Sequence, residues 1–125
     1  MIRYILVIAP VGADPEYELK MEIIRSICDA NGLGYHVPFL NASRFDLDEA
    51  MKTIRSAAVI VADLSYARPS CYYELGLAEG ANRQVALIAR AGSEIFQHSG
   101  KRAVTFYDAL SDYEIVVAQA LGIAS

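Results

Sequence analysis

A chain of 125 residues, 54% hydrophobic and 21% charged, fits one domain, long enough to bury about two thirds of the surface its unfolded form would expose. No apolar run approaches the roughly 18 residues of a membrane span, and a net charge of −4 argues against a broad nucleic-acid surface, which needs clustered Lys and Arg. Two cysteines, Cys28 and Cys71, without CxxC pairing, indicate neither a disulfide framework nor a metal site; the expected setting is cytoplasmic, and the expected partner a small ligand or another protein.

Strand and helix signals alternate along the chain. "RYILVIA" is a continuous apolar run, as in a strand covered on both faces, and with a single Arg3 and no small-residue cleavage pattern it reads as a strand rather than a signal peptide. "DPEYELKMEIIRSICDANGLG" follows as a helix, with Asp14 as N-cap, Pro15 at the first helical position, Gly32 or Gly34 as the stop, and Ile23, Ile24, Ile27 and Cys28 as the apolar stripe. "YHVPF" reads as a second strand; Pro38 cannot donate to a ladder and places it at a sheet edge. "DLDEAMKTIRSA" sets Leu47, Ala50, Met51 and Ile54 on one face of a surface helix.

"AAVIVADL" is a third, fully buried strand, "SCYYELGLAEGANR" a third helix and "QVALIAR" a fourth strand. "SEIFQHSG" reads as a short helix or turn, "RAVTFY" as a fifth strand and "DYEIVVAQALG" as the closing helix. Five strands alternating with helices across short loops predict a single α/β domain: a flavodoxin-like, doubly wound parallel sheet of order 2-1-3-4-5 with helices on both faces. Ligands of such sheets bind beyond the C-terminal strand ends, where the strand order reverses. Between strands 1 and 3 the loops are "APVGAD", residues 9 to 14, and "DLSYARPS", residues 63 to 70.

Two carboxylates mark that place. With the period of an α-helix applied to the third helix, Leu77 falls to one side of Glu74, and Ala78, Cys71 and Leu75 fall to the other. Glu74 is therefore in the apolar sector of the first helical turn, whereas Glu79, Tyr72 and Arg83 lie in the solvated one. A buried, unpaired carboxylate costs several kcal/mol or takes up a proton, so it is rarely kept without a use or a partner. Asp63 ends the third strand and is expected in the same cleft. Such a pair suits glycosyl-bond chemistry, whose transition state resembles an oxocarbenium ion that a carboxylate stabilises or traps. The plainer alternative has Asp63 capping a turn or the following helix and Glu74 pairing with Arg68.

The run "SAAVIVADLSYARPSCYYELGLAEGANRQVALIAR" resembles the central motif of the nucleoside 2-deoxyribosyltransferase-like superfamily. There an Asp ends the third strand and a Glu in an E-L-G-x-A segment opens the next helix; here these are Asp63, Glu74, Leu75, Gly76 and Ala78. The resemblance implies a flavodoxin-like protein that cleaves or exchanges the N-glycosidic bond of nucleosides or nucleotides. Glu74 would be nucleophile at the sugar C1′, and Asp63 would help to bind the sugar or handle a proton at the base. It also implies self-association, because related enzymes often complete the pocket from a neighbouring subunit. Two departures stand out. The loop after the first strand has Gly12 alone, with Pro10 beside it, where family members are often glycine-rich. Ser65, Arg68 and Ser70 lie between the carboxylates, where a helix N-terminus and a cation would favour the phosphate of a nucleoside 5′-monophosphate.

Tyr66 and Phe39, on rim loops, are expected to stack on a base, and Tyr73, at the margin of the apolar face, is a better stacking residue than Tyr72. Cys71 reads as a small hydrophobe. His36 and His98 are too remote for a triad or a zinc site. "APVGAD" is neither a Walker A loop nor GxGxxG, so neither ATP hydrolysis nor nicotinamide-dependent hydride transfer is expected and no cofactor is called for. A receiver domain would need an acidic pair after the first strand and a lysine after the fifth, where this chain has "IAPVG" and "VTFYD". A non-catalytic nucleotide-binding or sensor module, or a TIR-like NAD-cleaving domain, remains as the alternative on the same fold.

Overall fold

A computed structural model describes residues 3–38, 46–96, 98 and 103–123. Five strands, β1 (Tyr4–Ile8), β2 (Gly34–His36), β3 (Val59–Asp63), β4 (Val85–Arg90) and β5 (Val104–Tyr107), form one sheet of order β2-β1-β3-β4-β5. Every pairing is parallel. Four helices accompany it: α1 (Tyr17–Ala30), α2 (Leu47–Ser56), α3 (Pro69–Gly80) and α4 (Leu110–Ala120). The expected architecture and strand order are those observed, with β2 at an edge and Pro38 just beyond its end.

Two cores fill the two sides of the sheet. Leu6, Ile8, Ile60, Ala62, Val85 and Leu87 meet Ile54 of α2 and Leu75 and Ala78 of α3. Ile5, Val7, Val61 and Ile88 meet Ile24, Ile27 and Cys28 of α1 and Tyr113 and Val117 of α4. Successive strand residues thus alternate between layers, as the pleat requires. Because both layers are apolar, the strands read as unbroken hydrophobic runs.

The helix ends explain where sequence and structure diverge. Asp14 does not cap α1. Its Oδ1 accepts from the Glu16 amide at 2.8 Å and its carbonyl from the Tyr17 amide at 3.2 Å, so Asp14 closes a turn and the helix begins two residues later than expected. In α2, Asp46 is the N-cap, its Oδ1 accepting from the Glu49 amide at 3.1 Å. Helix α3 starts at Pro69, the first helical position for which proline is suited. It ends at Gly80, with Asn82 in the left-handed region at φ 61. Arg83 is therefore beyond the helix, not on its solvated face. Its guanidinium donates to the carbonyls of Ile54 at 2.5 Å, Arg55 at 3.0 Å and Ala57 at 2.7 Å, satisfying the open C-terminal end of α2. Residues 93–96, expected as a short helix or turn, contain no helix. Phe39 lies outside the described residues.

Candidate functional site

The buried face of α3 is Cys71, Glu74, Leu75 and Ala78, the i, i+3, i+4, i+7 stripe of a helix laid on a sheet. With the helix starting at Pro69, Glu74 stands in its second turn rather than its first, about 7.5 Å along the axis from the start. It is 6% exposed, and among the described residues no hydrogen bond or ion pair reaches its carboxylate. Burial alone pushes its pKa from the ordinary 4.5 up to about 7. The helix dipole, which would lower it, acts mainly within the first turn. The pairing with Arg68 is not formed: one Arg68 guanidinium nitrogen lies 3.8 Å from where a Cβ on Gly12 would stand, so Arg68 turns toward the β1–α1 loop. Cys71 is fully buried, and its thiol is pushed up to about 12, by burial first and then by Glu74 and Asp63. It is a core residue, as expected, and not a thiolate.

Asp63 belongs to a different environment. Its Oδ1 accepts from the Ser65 amide at 3.0 Å and from the Ser65 hydroxyl at 2.6 Å, and its Oδ2 accepts from the Tyr107 hydroxyl at 2.7 Å. The Lys20 Nζ, from α1, donates to the Tyr107 hydroxyl at 2.7 Å and to Asp14 Oδ2, and lies 3.9 Å from Asp63 Oδ2. Lys20 also packs over the rings of Tyr107 and Tyr113, at 4.7 and 5.3 Å from their centroids, a favourable place for a desolvated cation. Burial raises the pKa of Asp63, opposed by the Ser65 and Tyr107 hydroxyls, the Ser65 amide and Lys20. All five members, Asp14, Lys20, Asp63, Ser65 and Tyr107, are buried. Paired in this way the charges are tolerable in an apolar core.

The two carboxylates therefore do not share one wall. Val61 faces the α1/α4 core and Ala62 the α2/α3 core, so the pleat turns Asp63 toward α1 and α4, while Glu74 comes from the α3 side. Asp63, 2% exposed, has both oxygens engaged. Ser65 is 0% exposed, with its hydroxyl also accepting from the Arg90 amide at 2.7 Å. The structure gives Ser65 to this buried cluster and not to the cleft, because its position two residues past Asp63 suits it to close the Asp63 turn.

The remaining expected residues lie on the two loops and on α3. Pro10 is buried, and its carbonyl accepts from the Ala13 and Asp14 amides, each at 3.1 Å. Gly12 has φ 82, open to glycine at little cost. Tyr66 at φ 65 and Ala67 at φ 48 are left-handed without being glycine, each costing on the order of 1 kcal/mol or more. Tyr66 is 41% exposed. The Ser70 hydroxyl is buried with no hydrogen-bond partner among the described residues. Tyr73 is 53% exposed, whereas Tyr72 packs edge-on against Phe96 at 5.8 Å and accepts from its amide at 2.8 Å, so the more enclosed of the two tyrosines is the one expected to face outward. Lys20, Tyr107 and Tyr113 were not anticipated at the site. The legible signal was Lys20 itself, four and seven residues before Ile24 and Ile27 in the apolar stripe of α1.

A groove of about 660 Å³ opens at the opposite end of the sheet, lined by Arg83, Val85, Thr105 and Gln119 among others. Its arginine is committed to the carbonyls of α2, and the groove holds none of the perturbed groups, so shape and chemistry disagree. Chemistry decides between them, since buried titratable groups cluster where the strands end. Among the described residues no group of three His, Cys, Asp or Glu side chains could hold a metal ion, and no helix is long and apolar enough to cross a membrane.

Comparison with protein-family models and with curated proteins finds no match. Solved structures do match. The chain is similar to a 2-desoxiribosyltransferase from Leishmania mexicana, with 18% identity, a TM-score of 0.61, and 92% of this chain and 97% of that one covered. It is also similar to a CMP N-glycosidase from Clostridium botulinum, with 11% identity, a TM-score of 0.63, and 91% and 98% covered. A third is a diflavin flavoprotein from Nostoc sp., with 16% identity, a TM-score of 0.64, and 93% and 87% covered. At these identities the likeness is one of fold. The chain has a flavodoxin-like architecture, shared with the deoxyribosyltransferase and the CMP N-glycosidase.

Proposed function

We propose that this protein cleaves or transfers the N-glycosidic bond of a (deoxy)nucleoside or nucleoside 5′-monophosphate, with Glu74 as the nucleophile. The observation that carries the reading is Glu74 itself: a carboxylate 6% exposed, without a partner among the described residues, in the apolar stripe of the helix that begins at the switch point of the sheet. Fold neighbours named for deoxyribosyl transfer and for CMP N-glycoside cleavage support it at the level of architecture.

In the proposed step a Glu74 oxygen bonds to C1′ as the C1′–N bond breaks. The electron pair of that bond leaves with the base, which takes a proton from water, and water or a second base then displaces Glu74 from the sugar. Desolvation keeps the carboxylate basic, and hence a stronger nucleophile once ionised. Arg68, beside Gly12, and the unpartnered Ser70 hydroxyl in the first turn of α3 receive the 5′-phosphate. Pro10 and Gly12 shape the sugar side, and Tyr66 and Tyr73 offer rings to the base. Asp63 contributes from the far side of β3, by holding the turn that leads to Arg68. Self-association accords with the exposed aromatic surface of Tyr73 and Phe96 beside α3.

The deciding experiment incubates a panel of nucleosides and nucleoside monophosphates with the wild type and Glu74→Ala and separates free base by chromatography. Base release should fall by about a thousandfold or more in the variant, with the circular dichroism spectrum unchanged; equal release removes Glu74 from the mechanism. One observation favours a second reading, a nucleotide-binding module without turnover: with Asp63 fully engaged, no second carboxylate beside Glu74 is placed to act as acid among the described residues. Calorimetric binding of a nucleotide with no product formed would decide for it. Including NAD in the panel tests cleavage of the TIR-like kind.

A further inference from the structure

The buried cluster around Asp63 is larger than a turn requires. An aspartate closing its own turn needs the amide two residues on; here Tyr107 of β5, Lys20 of α1 and Asp14 of the β1–α1 segment are joined to it as well. Through Asp63 and Tyr107 the cluster reaches Ser65, whose hydroxyl donates to Asp63 at 2.6 Å, accepts from the Arg90 amide at 2.7 Å and lies 3.2 Å from the Tyr107 hydroxyl. On one side of this joint Leu64 is anchored by its amide to the Ile88 carbonyl at 2.9 Å. On the other the chain enters Tyr66 and Ala67, two consecutive left-handed residues that are not glycine. Next comes Arg68, whose carbonyl accepts from the Cys71 amide at 3.0 Å in the first turn of α3 and whose side chain lies beside Gly12. Disfavoured backbone of this kind persists where the surroundings over-determine it, and the only buried polar anchor adjoining it among the described residues is Ser65.

We propose that Tyr107 and Lys20 are positioning residues of the cleft: acting through Asp63 and Ser65, they hold residues 66–67 in the left-handed turn and so place the Arg68 guanidinium where a nucleotide phosphate is received. The phosphate part rests on the function proposed above; the holding of the turn does not. Tyr107 and Lys20 touch no substrate. Their effect is on where Arg68 stands, so it is felt by ligands that carry a 5′-phosphate and not by those that lack one.

The test compares the wild type with Tyr107→Phe, which removes one hydroxyl and keeps the ring edge-on to Tyr113 at 5.1 Å. KM for a nucleoside 5′-monophosphate should rise at least tenfold, while KM for the same nucleoside without phosphate, and kcat for both, change less than twofold. Ser65→Ala, which opens the same joint from the other hydroxyl, should give the same split. Adding Ala67→Gly to Tyr107→Phe should recover most of the loss, because glycine takes positive φ without a steric penalty. Equal losses on both substrates, or no recovery by Ala67→Gly, would overturn the proposal. Amide hydrogen exchange over residues 65–68 separates the two readings. Faster exchange in Tyr107→Phe, with β1 and α4 unchanged, supports the lock even where no nucleotide is turned over and the Glu74 reaction fails; unchanged exchange overturns the lock even where turnover is normal.

Discussion

Asp63 and Glu74 approach the C-terminal end of β3 from opposite faces of the sheet. Asp63 is hydrogen-bonded to Tyr107 within the α1/α4 layer, and Glu74 lies in the stripe of α3 that packs on the other layer. One carboxylate has donors at both oxygens; the other has none among the described residues. Two carboxyl groups are thereby divided into a hydrogen-bonded one on one side and an unpartnered one on the other, and the division is made by the two-residue period of the strand.

Glu74→Gln should stabilise the protein at alkaline pH. The folded-state pKa of Glu74 is raised above its ordinary value, so its contribution to stability is fully present below about 4.5 and is lost as pH rises through about 7. Urea denaturation near pH 4 should find wild type and variant nearly equal, within the spread expected of a neutral substitution. At pH 8.5 the variant should be more stable, by as much as about 3 kcal/mol. A variant no more stable than the wild type at pH 8.5 would mean that Glu74 is solvated.

On the function proposed above, the same group should set a pH profile for activity. A nucleophile must be ionised, so kcat/KM should rise with pH through about 7, the value of Glu74 in the free enzyme, and level off above it. A profile that falls through that range would assign Glu74 the role of acid instead. The measurement is base release from one nucleoside monophosphate at saturating and limiting concentration across pH 5 to 9.

Lys20→Met should be strongly destabilising. It removes the cation that Asp14 and Asp63 share and leaves both carboxylates buried without a counter-charge, a change that costs about 3–5 kcal/mol. Burial already raises the pKa of Asp63 and Lys20 helps to oppose that, so without Lys20 the folded state should hold a proton on Asp63 more firmly. The deficit should then shrink as pH falls, which thermal melts at pH 7 and pH 4.5 would reveal. A pH-independent deficit would point to lost packing against Tyr107 and Tyr113 alone.

Arg83→Ala should lower stability by about 2 kcal/mol, the scale of hydrogen bonds from a charged donor to otherwise open carbonyls. Because Arg83 sits at the other end of α3 from the cleft, kcat/KM at 25 °C should be unchanged. Denaturant midpoints together with base-release rates give both quantities from one preparation.

The order of elements was legible in the sequence because β1, β3 and β4 are unbroken apolar runs and the helices between them carry their own start and stop residues. The separation of Asp63 from Glu74 was not. A strand buried on both sides shows no polar alternation, so nothing in "AAVIVADL" says which face its last residue takes. The depth of Glu74 depended on where α3 begins, since each residue added at the start sets the carboxylate about 1.5 Å further from the helix end, and Pro69 left that start open by a residue. Glu74 was still identified as core-facing, because the helical period alone decides that. The partners of Asp63 were hidden for a different reason: Tyr107 is 44 positions away and its bond to Lys20 spans 87, distances over which local pattern carries no information.

Arg83 has a mechanical consequence. By clasping the end of α2 from the loop that follows α3, it binds the two helices of one layer into a single cooperative unit. Glu74 is seated in that unit, so on the reaction proposed above the distance between its carboxylate and an anomeric carbon would be adjusted by the loops at the mouth rather than by the helices.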